Sequence, residues 1–380
     1  MLSLCGLLVN CQVFLAISLI WAIAQAFGVS QLTAAWLGSA YSFAYALGFL
    51  VCGAISDRYG RKQVMIIGLL TFTPITLSVG FSPSFQMLIL LRAIQGFVGA
   101  TFVPTAIAYI SEVLPVPMRP VGLACMTTGL LLAGIVAQVY ASTIALNYGW
   151  RWVFWGLAIA YTVFVFILAT QISQDARQRS NVSLLSVYRS IAALLGRPAI
   201  VAVYTAGFTL LFSFVAMYSG LGSYAAEQYG VDQNGLFLIR LAGAPGILLS
   251  PLSGKFVQKW GSKKVAIGAL IVAAIGLVLE PIASSLPLLV MATVLFVTGI
   301  AFAAPALLSL LAALAADAKA AAFAFYTFVL FTGASFAPLV VQLTRSIGFP
   351  GLCIGLISIL LAGAASVKFG VINSQASLGN

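Results

Sequence analysis

Arg92 and Gln95 stand inside an otherwise apolar stretch, Leu91-Arg92-Ala93-Ile94-Gln95-Gly96. A cation in a hydrocarbon setting costs roughly 2.5–3.5 kcal/mol on insertion scales, so Arg92 is expected to face protein or a watery cavity. Arg240 is a second internal cation at a similar depth. Two such charges favour an anionic or carboxylate-bearing solute; alternatively, each bonds backbone carbonyls at a broken helix. Asn10, Gln12, Gln138, Tyr204 and Tyr326 add amide and phenol groups within apolar runs. Such groups suit hydrogen bonding to an uncharged or mixed solute, and equally suit ties between helices.

Other chemistries lack their residues. The chain has no histidine, and its five cysteines (Cys5, Cys11, Cys52, Cys125, Cys353) form no Cys-x-x-Cys pair. No metal site and no disulfide framework are expected. Nothing resembles a catalytic triad or a phosphate loop, so no catalytic residue, cofactor or nucleotide-binding domain is expected. Seven residues are acidic. Asp57, Glu112, Asp175 and Asp317 fall in breaks on one side of the apolar runs, and Glu227, Asp232 and Glu280 at run ends on the other. None is mid-run. A proton carrier usually needs a titratable group near its path, which argues against a proton antiporter and leaves protons only a candidate partner.

The elements that must position these residues follow from composition. Hydrophobic residues make up 62% of the 380 and charged residues 7%, too few charges to coat a water-facing surface. The solvent is lipid, and runs of about 20 apolar residues read as crossing helices. Twelve spans are expected: 1–27, 31–53, 63–81, 84–110, 121–146, 152–172, 198–223, 233–254, 264–283, 286–314, 320–343 and 349–371. The first reads as a retained span, not a cleavable signal. With both termini cytoplasmic, 14 of the 18 Lys and Arg residues fall in inside breaks, Arg151 and Arg345 outside, and Arg92 and Arg240 within spans. That asymmetry sets the orientation. It also excludes nucleic acid as the reason for the +11 net charge, since the positive residues sit where topology places them.

The longest break, 173–197, opens polar and turns amphipathic, with Leu184, Val187, Tyr188, Ile191 and Leu195 at helical spacing. It reads as a cytoplasmic linker with an interfacial helix, between six-span bundles at 1–172 and 198–380. A shift of 201 positions lays Gly53 on Gly254, Gly60 on Gly261, Lys62 on Lys263 and Pro104 on Pro305. The halves therefore read as a duplicated unit.

Between the second and third spans stands Gly53-Ala54-Ile55-Ser56-Asp57-Arg58-Tyr59-Gly60-Arg61-Lys62. This resembles the major facilitator superfamily signature G-x-x-x-D-R-x-G-R-[KR]. Leu91–Gly96 resembles the R-x-x-Q-G motif of many facilitator exporters, and Ser111-Glu112-Val113-Leu114-Pro115 with Arg119 resembles the loop after helix four. The resemblance implies an all-α membrane protein of two pseudo-symmetric six-helix bundles. It implies a latch at Gly53, Asp57, Arg58, Gly60, Arg61 and Lys62 that holds the halves together on the cytoplasmic side. Gly53 would let helices approach closely, Gly60 would permit a tight turn, and Glu112 would pair with Arg119. In proton-linked relatives the arginine of R-x-x-Q-G is implicated in coupling; a packing role is the alternative for Arg92.

The second copy, Gly254–Lys264, keeps both glycines but carries Gln258 where the first has Asp57, which implies a weaker latch. Other departures are Trp21 in place of a proline common near the end of helix one, and no Gly-Pro pair around Gly129 and Gly134. The expectation is a monomeric bacterial inner-membrane carrier, surrounded by lipid, that exports a small organic solute by alternating access. A uniporter or importer of a small metabolite, or a non-transporting receptor on the same fold, is the alternative.

Overall fold

A computed structural model describes residues 1–115, 118–172 and 184–376. Among them every regular element is a helix and no strand occurs. In lipid, each backbone N–H and C=O must be satisfied within its own segment, which a helix alone achieves without a partner strand.

The chain divides into two compact units, Met1–Ser186 and Val187–Asn380. The first is built from α1 (Leu2–Phe27), α2 (Gln31–Ala34), α3 (Trp36–Tyr59), α4 (Arg61–Gly80), α5 (Phe85–Gly99), α6 (Val103–Val113), α7 (Arg119–Tyr148) and α8 (Trp150–Gln171). α9 (Leu184–Leu195) follows, and the polar opening of the expected linker, 173–183, lies outside the described residues. The second unit continues with α10 (Pro198–Tyr229), α11 (Gln233–Ala242), α12 (Ala244–Leu248), α13 (Ser253–Trp260), α14 (Ser262–Leu279), α15 (Leu286–Leu314), α16 (Lys319–Leu343) and α17 (Gly348–Ala376).

Eleven of the described segments are long and apolar enough to cross a membrane. The expected eighth span, 233–254, is the exception. It is divided into α11, α12 and a 3-10 turn at Ser250–Leu252, around the Gly243-Ala244-Pro245-Gly246 sequence. The expected fourth span is likewise interrupted between α5 and α6. Pro104 has no N–H and its ring crowds the carbonyl four residues back. The chain tightens there into bonds to the third residue back, Thr101 N–H to Val98 O and Phe102 N–H to Gly99 O.

The two units share three pairings, to which the second adds extensive α14–α15 and α10–α17 contacts. α1 lies against α7, α3 against α5 and α4 against α8; in the second unit α10 lies against α16, α12 against α15 and α14 against α17. In span order each unit therefore pairs its first with its fifth, second with fourth and third with sixth helix. Gly60 and Gly261, the paired turn glycines, have nearly the same backbone, φ 97° and ψ 139° against φ 82° and ψ 148°. That positive φ is open to glycine and costly for residues with a Cβ. Each ends one helix and begins the next with no residue between.

Candidate functional site

α5 carries Arg92, Gln95 and Gly96 on one face, and the face is turned into the first unit. Arg92 and Gln95 are both 0% exposed. The guanidinium donates four hydrogen bonds: Nε to Leu37 O (3.0 Å), Nη2 to Gln12 O (2.7 Å), and Nη1 to both Gln12 Oε1 (2.9 Å) and Gln95 Oε1 (2.7 Å). It also lies over the Tyr41 ring at 4.3 Å and the Phe154 ring at 5.7 Å, whose faces attract a cation.

The network extends one step outward. Gln95 Nε2 donates to Thr76 Oγ1 at 2.7 Å, and Thr76 passes its own proton to Phe72 O at 2.8 Å. Gln12 Nε2 donates to the Tyr161 hydroxyl at 3.3 Å, which donates to Leu8 O at 2.8 Å. Five helices contribute, α1, α3, α4, α5 and α8. Among the described residues no carboxylate hydrogen-bonds or ion-pairs with Arg92, so neutral oxygens and ring faces solvate its charge. Such bonds to a charged donor are each worth about 1.5–3 kcal/mol.

Gly96 explains how α5 comes so close. A Cβ there would run into the backbone carbonyl of Tyr41 on α3. Sequence reasoning missed Tyr41, Thr76 and Tyr161, although each is a hydroxyl in an apolar run. The missing information was which hydroxyl faces which helix.

Asn10 and Gln138 lie on the α1–α7 pair, outside this network. Asn10 Nδ2 donates to Leu130 O at 3.0 Å and Gln138 Nε2 to Gly134 O at 2.7 Å. Asn10 Oδ1 and Gln138 Oε1 are buried with no hydrogen-bond partner among the described residues. Asn10 stands level with Leu130 and Gln138 two turns further along α7, about 12 Å at 1.5 Å per residue, so they do not form one site. In the second unit Tyr204 donates to Ala322 O at 3.4 Å, and Tyr326 O–H is buried with no hydrogen-bond partner among the described residues. Both lie at the α10–α16 contact. Arg240 is on α11, but its side chain lies outside what is described.

The signature around Gly60 ends α3 and begins α4. Arg61 donates to Ser56 Oγ and to Glu112 Oε1, the latter at 3.1 Å. Lys62 Nζ donates to Ile172 O, at the end of α8. Both basic residues thus tie elements of the first unit to one another. Glu112 pairs with Arg61; the Arg119 side chain, also expected to pair with it, is outside the described set. Gly53 needs correction. A Cβ built there meets nothing within 4 Å, so this glycine is not a close-approach point. Asp57 lies in the last turn of α3 with its side chain undescribed, and Arg58 is exposed, over the Tyr59 ring at 5.6 Å.

In the second unit Ser262 stands at the position of Arg61 and meets Ser309 Oγ at 3.2 Å, a neutral contact in place of an ion pair. A bidentate pair the sequence did not suggest joins Arg197, ahead of α10, to Asp317, after α15. That partnership raises the pKa of Arg197 and lowers that of Asp317. Both side chains are exposed, so the pair adds little stability.

The family model described as Major Facilitator Superfamily matches residues 2–338. Of the curated relatives, the uncharacterized MFS-type transporter YceJ of Bacillus subtilis is 26% identical over 266 residues, 69% of this chain and 67% of the relative. The multidrug resistance protein MdtG of Proteus mirabilis is 26% identical over 242 residues, 61% of this chain and 59% of the relative. An uncharacterized MFS-type transporter of Mycobacterium tuberculosis is 33% identical over 126 residues, 33% of this chain but only 22% of the relative. The chain thus spans less than two thirds of the length of two of these three.

Proposed function

Because the chain belongs to the Major Facilitator Superfamily, we propose that it is an alternating-access secondary carrier that exports a small organic solute. The observation that carries this reading is the buried Arg92 network on the R-x-x-Q-G sequence. A permanent cation solvated by side chains from α1 and α5 and by a carbonyl of α3 ties three helices of the first unit to one charge. A solute or a helix shift that alters any of these acceptors alters them all. The name of the MdtG relative supports export.

The same reading places the protein in a bacterial inner membrane as a monomer, with both termini cytoplasmic. The one-sided distribution of Lys and Arg supports that orientation. Asp57, Arg58, Gly60, Arg61 and Lys62 then form a cytoplasmic latch, a reading that the family signature in this stretch supports.

The test is purified protein in liposomes, given a panel of small organic solutes under an imposed pH gradient and under a solute gradient alone. Export coupled to an ion gives accumulation against a gradient only in the first arm. A uniporter, which the absence of a carboxylate bonded to Arg92 among the described residues favours as second reading, gives equal rates in both. Movement of no solute in either arm, with binding retained, would overturn the carrier reading. At matched membrane abundance, Asp57→Asn is expected to lower transport; unchanged transport would remove the latch from it.

A further inference from the structure

Glu280 lies one residue beyond the span Ser262–Leu279, at the end of α14. A glutamate at a helix end next to Pro281 reads as a solvated turn residue. The structure places it otherwise. Glu280 is 0% exposed, and neither carboxylate oxygen has a hydrogen-bond partner among the described residues.

What surrounds it is a clasp. The turn that follows is held by two phenols near the end of α10: Tyr229 O–H donates to Ala283 O at 2.6 Å, and Tyr224 O–H to Pro281 O at 3.4 Å. Tyr224 stacks on Phe349 at the start of α17, with ring centroids 4.5 Å apart. Facing Glu280 from α15 is Thr293, whose hydroxyl gives its proton to Leu289 O at 3.0 Å. From α17 it is Cys353, itself 0% exposed, and from α10 Tyr224. A thiol and two phenols are the titratable groups of this clasp, and none supplies a positive charge. Glu280 forms no ion pair among the described residues.

A carboxylate left in such a place would lack both water and a counter-ion, at a cost far above that of keeping its proton. Burial pushes Glu280 up to about 8.

We propose that Glu280 is a proton-binding site of the second unit, loaded while the 280–285 turn is clasped against α10 and α17 and emptied when the turn lifts and water enters. The ligand is a proton taken from the face that the charge asymmetry puts outside. The site stands whatever solute the protein carries, because nothing in it depends on Arg92 or on transport. The sign follows from the two environments. The covered state holds its proton up to about pH 8 and the lifted state only to the ordinary glutamate value near 4.5. Between these, each unit of rising pH shifts the balance about tenfold toward the lifted state, and beyond about 8 it changes no further.

Infrared titration of the full-length protein in lipid nanodiscs tests the loading. The chain has seven acidic side chains, so the protonated-carboxyl stretch is simple to follow. One such band is expected to persist to about pH 8 and to be missing in Glu280→Gln. Loss of all carboxyl absorption by about pH 6, or a persistent band that survives in Glu280→Gln, would overturn the assignment. The wild-type titration alone decides the first point if the variant does not fold.

Alkylation of Cys353, in a chain whose other four cysteines are replaced, tests the lifting. Compared at the same pH of about 9, the Glu280 chain should react at least about tenfold faster than Glu280→Gln, whose side chain never ionises. Equal rates would separate protonation from the clasp and sink the gating half of the proposal.

Discussion

Among the described residues each unit completely buries one acidic or basic side chain, and the two are treated in opposite ways. Arg92 in the first unit has four hydrogen bonds and two ring faces around it. The Glu280 carboxyl in the second has no hydrogen bond among the described residues. The chemistry of the groups accounts for the contrast. A guanidinium stays charged at any pH a cell reaches, so the protein must itself solvate it. A carboxyl can take up a proton and become neutral, so it tolerates a site without partners at a cost set by pH. One buried charge is therefore a fixed strut and the other a titratable one.

The largest expected effect breaks the strut. Arg92→Ala leaves two amide oxygens and two carbonyls short of a donor, and should destabilise the protein by about 1–3 kcal/mol for each acceptor left unsatisfied. Thermal unfolding in detergent measures this. Turnover should fall further than in Arg240→Ala; the reverse ranking would move the site to the second unit. Next comes the close approach that carries α5 to α3. Gly96→Ala should cost about 1–3 kcal/mol, because the obstacle is the Tyr41 backbone carbonyl and not a flexible side chain.

A third measurement sharpens the contrast between fixed and titratable charge. The native pKa of Glu280 is raised, so the folded state binds more protons than the unfolded one between about 4.5 and about 8. Stability should fall across that window by up to about 1.4 kcal/mol per pH unit and level off above it. Melting temperature against pH should show this slope in the wild type and a flatter one in Glu280→Gln. The smallest effect concerns Gly53, which faces open space inside α3. Gly53→Ala should raise stability by roughly 0.5–1 kcal/mol through helix propensity alone. A loss there would mean that the glycine has a neighbour in another conformation.

Much of the architecture was legible before any coordinates. The apolar runs reappear as helices, and the turn glycines Gly60 and Gly261 share one backbone conformation. Arg92, Gln95 and Gly96 could be singled out because they share one helix and stand at helical spacing. Gln12, Tyr41, Thr76 and Tyr161 could not be joined to them, because they come from four other helices. Three details were out of reach for the same reason. Glu112 is bonded to Arg61, 51 residues back. A Cβ at Gly53 would meet nothing within 4 Å, and Glu280, at a helix end, lies covered.

The residues in order determined the solvent and the secondary structure. A chain with so few charges must be surrounded by lipid, and in lipid the backbone satisfies itself within each segment, which is a local matter. Tertiary structure decided which polar side chains found partners. Hydrogen bonds between side chains require donors and acceptors from distant parts of the chain to meet, and no run of neighbouring residues records that. Arg92 met its acceptors and Glu280 met none.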